Sequence, residues 1–173
     1  MIDNDSDSSI IEGIMTRVWV FFYGTFMSAR VLRQSGMDCS DTFPAKLAGY
    51  SLVIRPKVNL VKVTNSMVYG GLAFVEQGEL NRLYKKVHET YGHAYYPYPV
   101  LAEKPDGLMR PALCFIAEDL SSGDPDPAYI EEMIQCAQEM QAPASYILYI
   151  ESFKTANKSA PAEANVCRQD DEF

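Results

Sequence analysis

Apolar positions along this chain change period several times, and each change predicts an element. Val18–Phe22 is unbroken apolar sequence, the pattern of a fully buried strand. Tyr23-Gly24-Thr25 follows. Phe26, Ala29, Val31 and Leu32 then take helical spacing up to Gly36, a helix stop, with Thr25 or Ser28 able to cap the start. Phe43-Pro44-Ala45 opens an extended stretch, and Leu47–Ile54 predicts a strand. Asn59–Val63 and Met67–Val75 predict two more, joined by a polar turn at Thr64-Asn65-Ser66.

Beyond Gly78 and Glu79 the period lengthens. Leu80, Leu83, Tyr84 and Val87 share one helical face until Gly92 breaks it. Tyr95–Glu103 is extended but carries two prolines, which confines it to an edge. Lys104-Pro105-Asp106-Gly107 is a turn, and Pro111–Ala117 predicts a strand. Asp126 before Pro127 is an N-cap followed by a first helical position. The helix it starts has the stripe Ile130, Met133, Ile134, Ala137 and Met140. A last helix follows Pro143, with Tyr146, Tyr149, Ile150 and Phe153 inward. Strands cluster early and helices late, so the expected class is α+β. Residues 1–14 and 156–173 lack sustained periodicity and are expected to be mobile tails around a single domain, 15–155.

Composition changes this picture little. The chain has 173 residues, 47% of them apolar, enough for one real core. Its net charge of −8 argues against general nucleic-acid binding. Four acids and no base fall within residues 1–12, and the chain ends QDDEF, so much of the acidity is in the tails. Of Cys39, Cys114, Cys136 and Cys167, none forms a C-x-x-C pair; Cys114 and Cys136 read as small core residues. With no signal peptide and no apolar run of membrane length, a reduced, cytoplasmic protein without membrane contact is expected. Whether it pairs as a homodimer is left open.

Several chemistries are excluded by pattern. There is no dinucleotide or phosphate-loop fingerprint and no nucleophile elbow. His88-Glu89-Thr90-Tyr91-Gly92-His93 is one residue too long to put two histidines on one helical face, and a glycine interrupts it, so no metal site is expected. What remains is the turn after the first strand. Free backbone N–H groups at a strand-to-helix junction can hold an anion, and Gly24 allows close approach. A tight turn of purely structural use is the competing reading.

The order of short motifs sharpens this. Val18 to Thr25 reads V-W-V-F-F-Y-G-T; then come F-P-A-K-L-A-G-Y and V-N-L-V-K-V-T-N-S-M-V-Y-G-G-L-A-F-V. E-L-N-R-L, a Tyr-rich extended piece and A-P-A-S-Y in a late helix complete the series. Together they resemble the gamma-glutamylcyclotransferase family across residues 18–153. The resemblance implies a small mixed β-barrel with flanking helices and no cofactor. It implies a reaction in which the α-amine of a γ-glutamyl group attacks its own γ-amide carbonyl. The products are 5-oxoproline and a free amine, and the partner implied is the small γ-glutamyl substrate. It assigns substrate binding to Tyr23, Gly24, Thr25 and Phe26, with Asn59, Tyr95 and Tyr96 alongside. A catalytically silent member of the fold, binding a small carboxylate or a protein partner, is the alternative.

The catalytic acid has two registers. Counted back from the Tyr-led strand it is Glu89; counted forward from Leu83 its position holds Val87 and the acid is missing, and Tyr84 stands where the family has Asp. If the helix runs through 89, Glu89 lies about 180° from Leu80 and faces solvent. If the helix ends near His88, Glu89 can turn inward.

Overall fold

The computed structural model describes residues 16–38, 41–118 and 122–155. The expected tails, Cys39 and Cys167 lie outside these residues. Five strands and four α-helices follow in chain order: β1 (Arg17–Phe22), α1 (Ala29–Gln34), β2 (Phe43–Ile54), β3 (Val58–Glu76), α2 (Gln77–Tyr91), β4 (Tyr95–Glu103), β5 (Met109–Ala117), α3 (Pro127–Glu139) and α4 (Ala144–Ser152) among the described residues. A single 3-10 turn, Thr25–Met27, joins β1 to α1. The strands close into a barrel in the order β1-β3-β2-β4-β5. All pairs are antiparallel except β1 with β5. Two seams are thin: β1 meets β5 at Val20 and Leu113, and β2 meets β4 at Lys46 and Glu103.

Apolar period explains the core. Val20, Phe21 and Phe22 are fully or almost fully buried, as an unbroken apolar strand requires. Ile130, Met133, Ile134, Ala137 and Met140 bury the stripe of α3, and Cys114 and Cys136 are buried with them. Each large side chain among these contributes about 1.5–3 kcal/mol of transfer free energy. Asp126 caps α3, its Oδ1 accepting from Ala128 N at 2.9 Å. Tyr146 of α4 sits fully buried with its ring centroid 5.0 Å from that of Tyr69 on β3.

Two expectations need correction. Thr64-Asn65-Ser66 is not a turn; β3 runs unbroken for 19 residues. Both halves of β3 pair antiparallel with the same strand β2, so the chain has no reason to reverse there. The polar residues instead absorb a shift in register between Ala48 and Tyr50. There Asn65 (φ 61°) and Gly49 (φ 80°) adopt left-handed backbone. The prolines of β4 do not leave it a bare edge either: Pro97 and Pro99 pair with Phe115 and Leu113 of β5. Its other side bonds β2 only at Glu103, so the missing N–H groups cost no ladder bond there.

Candidate active site

The turn after β1 is held by packing from below. A Cβ on Gly70 would lie 2.2 Å from Phe22 O, and one on Gly71 2.6 Å from Met27 O. The Gly-Gly pair thus lets the end of β1 and the turn lie directly on β3. At Gly24 a Cβ would lie 2.7 Å from Val58 Cγ1, so this glycine also answers a steric demand. Within the turn Met27 N donates to Gly24 O at 2.9 Å and Ser28 N to Thr25 O. Among the described residues no acceptor takes the N–H of Thr25 or Phe26. Ser28, fully buried, donates its hydroxyl to the Glu139 carboxylate, which also accepts from Arg30 Nε at 3.1 Å. That pair ties the turn to α3.

A cavity of about 350 Å³ opens above the turn, between α2, α3 and the start of β3. Tyr23, Gly24, Thr25, Phe26 and Tyr95, five of the residues to which the resemblance assigns substrate binding, line it. α2 contributes Leu83, Tyr84, Lys86, Val87 and Thr90, and α3 contributes Tyr129 and Glu132. Lys57, just ahead of β3, completes the rim. The phenols are fixed by their bonds. Tyr23 donates to Phe115 O at 2.7 Å, Tyr95 donates to Val58 O at 3.0 Å, and Tyr129 accepts from Val58 N at 3.5 Å. Burial pushes Tyr23, Tyr84 and Tyr129 up, and Tyr95 up to about 12, so all four stay neutral at ordinary pH.

Three expected residues are elsewhere. α2 runs on to Tyr91 before the left-handed Gly92, so Glu89 stays on its outer face, paired with Lys85 at 3.9 Å and 62% exposed. The forward register places Val87 on the cavity wall. Asn59 is a clip rather than a ligand contact: Nδ2 donates to Ala117 O at 2.8 Å and Oδ1 accepts from Ala117 N at 3.0 Å. It joins β3 to the end of β5. Tyr96 points out of the barrel by strand alternation and is 48% exposed.

Other carboxylates near these strands are already engaged. Glu76 caps α2 through the N–H groups of Gly78 and Glu79, which hold its carboxyl below the usual range. Glu79 accepts from Asp38 N, and Glu103 pairs with Lys46. Glu132 is the one carboxylate lining the cavity among the described residues, and the sequence reading missed it. Its signal was faint: Tyr129 and Glu132 stand three apart beside the apolar stripe, a spacing that shares a face. Among the described residues no three His, Cys, Asp or Glu side chains gather as a metal site requires.

The fold has solved counterparts. A gamma-glutamyl cyclotransferase superposes with a TM-score of 0.68 at 14% identity, covering 90% of this chain and 95% of its own. The chain has the gamma-glutamylcyclotransferase-like fold. YkqA from Bacillus subtilis matches with a TM-score of 0.67 at 19% identity, covering 85% of this chain and 56% of that one. A yeast gamma-glutamyl cyclotransferase specific to glutathione matches at 0.56, with 10% identity, 81% of this chain and 96% of its own. No family model and no curated protein matches the sequence. This gamma-glutamylcyclotransferase-like barrel therefore keeps the shape at identities too low to carry residue roles. No described helix is long and apolar enough to cross a membrane.

Proposed function

We propose that this chain is a gamma-glutamylcyclotransferase-like enzyme that cyclises a γ-glutamyl amine or amide to 5-oxoproline, with Glu132 in place of Glu89 as the proton carrier. The observation that carries the reading is that Glu132, alone among described carboxylates, shares the cavity with the Tyr23–Phe26 turn. In this reading the N–H groups of Thr25 and Phe26 receive the ligand's α-carboxylate. Glu132 takes a proton from the α-ammonium, and the freed lone pair attacks the γ-carbonyl carbon. The carbon–nitrogen bond of the γ-amide then breaks as Glu132 gives its proton to the leaving nitrogen, and the ring nitrogen passes its second proton by way of Glu132 to the released amine, which departs as an ammonium. Closing a five-membered ring within one molecule starts from high effective molarity, so positioning and one proton carrier suffice. The aromatic walls of the cavity hold the folded chain away from water.

The test is 5-oxoproline release from a panel of γ-glutamyl compounds, with Glu132→Gln beside the wild type. Turnover by the wild type and its loss in the variant are expected. No product from any compound, or equal turnover by Glu132→Gln, sinks the proposal.

A second reading has its own observation. The wall formed by α2 presents Leu83, Val87 and Lys86 and no acid. A silent member that binds a small carboxylate fits that wall, and it is separated from the enzyme by ligand binding without product.

A further inference from the structure

Lys57 sits on the cavity rim in an arrangement that neither the fold nor the cyclisation requires. Its Nζ lies 4.1 Å from the ring centroid of Tyr129 and 4.5 Å from that of Tyr91. These rings come from α3 and the last turn of α2, so two separate elements converge on one ammonium. Aromatic faces attract a cation but accept no strong hydrogen bond, and an ammonium has three donors to place. Lys57 forms no ion pair among the described residues. The nearest acids acting on it, Asp126 and Glu132, are otherwise placed: Asp126 caps α3, and Glu132 faces the cavity. Burial pulls the ammonium down from its ordinary value, the mark of a charge with too little solvation. An ammonium fixed in position, half-buried, facing a cavity and short of acceptors is built to receive an anion.

We infer that Lys57 is the cavity's anion receptor, taking a second anionic group that the ligand carries beyond its γ-glutamyl head. The inference rests on the cyclisation reading for the identity of that head, but not for the anion. The turn and Glu132 account for an α-carboxylate and an α-ammonium, which leaves Lys57 for the far end of the ligand. Tyr91 and Tyr129 aim it, so its contribution is to selectivity among ligands rather than to proton transfer.

The experiment compares γ-glutamylglycine with γ-glutamylmethylamide, which lacks the second carboxylate, by calorimetry and by 5-oxoproline release. A charge-assisted contact in a partly dry site predicts roughly 10- to 100-fold preference for the glycine compound in the wild type. Lys57→Met keeps the aliphatic stem against the rings and should reduce that ratio to within about threefold. Lys57→Arg, which keeps the charge, should restore most of it. Melting temperatures of both variants establish that they fold. An unchanged ratio in a folded Lys57→Met overturns the inference whatever the turnover. Selectivity that follows Lys57 with no 5-oxoproline supports the receptor and overturns the cyclisation.

If neither compound binds, the γ-glutamyl head is wrong, and glutarate and inorganic phosphate decide the rest. Titrated against protein carrying ¹³C-methylated lysines, either anion should shift the Lys57 resonance, identified by its absence in Lys57→Met. No shift from either overturns the receptor.

Discussion

The two helical walls of the cavity differ in chemistry. α2 turns Leu83, Val87 and Lys86 inward and leaves Glu89 in solvent beside Lys85. α3 turns Tyr129 and Glu132 inward and buries its apolar stripe against the barrel. A carboxylate on a solvated face is stabilised by water and has no work to do. One held against tyrosine rings in a cavity can exchange a proton with whatever fills it. In the proposed reading the acid therefore stands on α3, across the cavity from the α2 register that the motifs suggested.

The sharpest way to break that comparison is to neutralise each wall in turn. Glu132→Gln should lower kcat for 5-oxoproline formation by about 10²- to 10⁴-fold, the usual cost of losing a general acid–base. Glu89→Gln should leave kcat within about twofold. The reverse result in a steady-state assay would return the acid to α2.

A smaller effect is expected at the barrel end that supports both walls. Asn59 is 3% exposed and spends its amide on both backbone groups of Ala117. Asn59→Leu leaves two buried backbone groups unpaired and should cost about 2–4 kcal/mol in urea unfolding. A loss under about 0.5 kcal/mol would mean that the clip bears no load.

Alkaline titration probes the tyrosines that form the remaining walls. Their folded pKa values lie above the ordinary value of about 10, Tyr95 at about 12. The unfolded chain therefore loses these protons first as pH rises. Stability is fully present below about pH 10 and falls as pH climbs through the folded-state values. The absorbance at 295 nm from these phenolates should rise together with loss of circular dichroism. Full ionisation of all four in a still-folded protein would contradict their burial.

The smallest effect belongs to the pair outside. Lys85 and Glu89 are an exposed i,i+4 pair, so Glu89→Gln should change stability by at most about 0.5 kcal/mol, and less in high salt. A larger, salt-insensitive loss would place Glu89 in contacts that its exposure does not provide.

What could be read from the sequence was whatever local chemistry decides. The unbroken strand at Val18–Phe22, the Asp126-Pro127 start and the Gly92 stop needed only their neighbours, and each is where expected. The turn residues Tyr23 to Phe26 were legible because a strand meeting Gly-Thr before a helix is a local signal. Thr64-Asn65-Ser66 misled because its polarity is local, whereas β3 is straightened by pairing with β2 on both sides. Asn59 resisted for a related reason: its partners lie on the far end of β5. Glu89 was decided by one helical residue more or less, the least certain quantity in any sequence reading. Glu132 and Lys57 were not legible, because their places on the cavity wall depend on how α3 and the β2–β3 turn dock against the barrel.

The thin seams of the barrel also bear on how the protein comes to exist. β2 and β3 adjoin in sequence and share the longest ladder, while β1 and β5, the first and last strands, meet at one register pair. Nearby partners find each other quickly, and distant ones wait for loop closure. The hairpin of β2 and β3 is therefore expected to form early and the β1–β5 seam last. Hydrogen exchange pulsed during refolding would show late protection at Val20 and Leu113. The cavity wall draws Tyr23 from one side of that seam and Tyr95 from the partner strand of the other. In the proposed reading the newborn chain captures its ligand only after that final closure, and the ligand then acts as a latch on the last step.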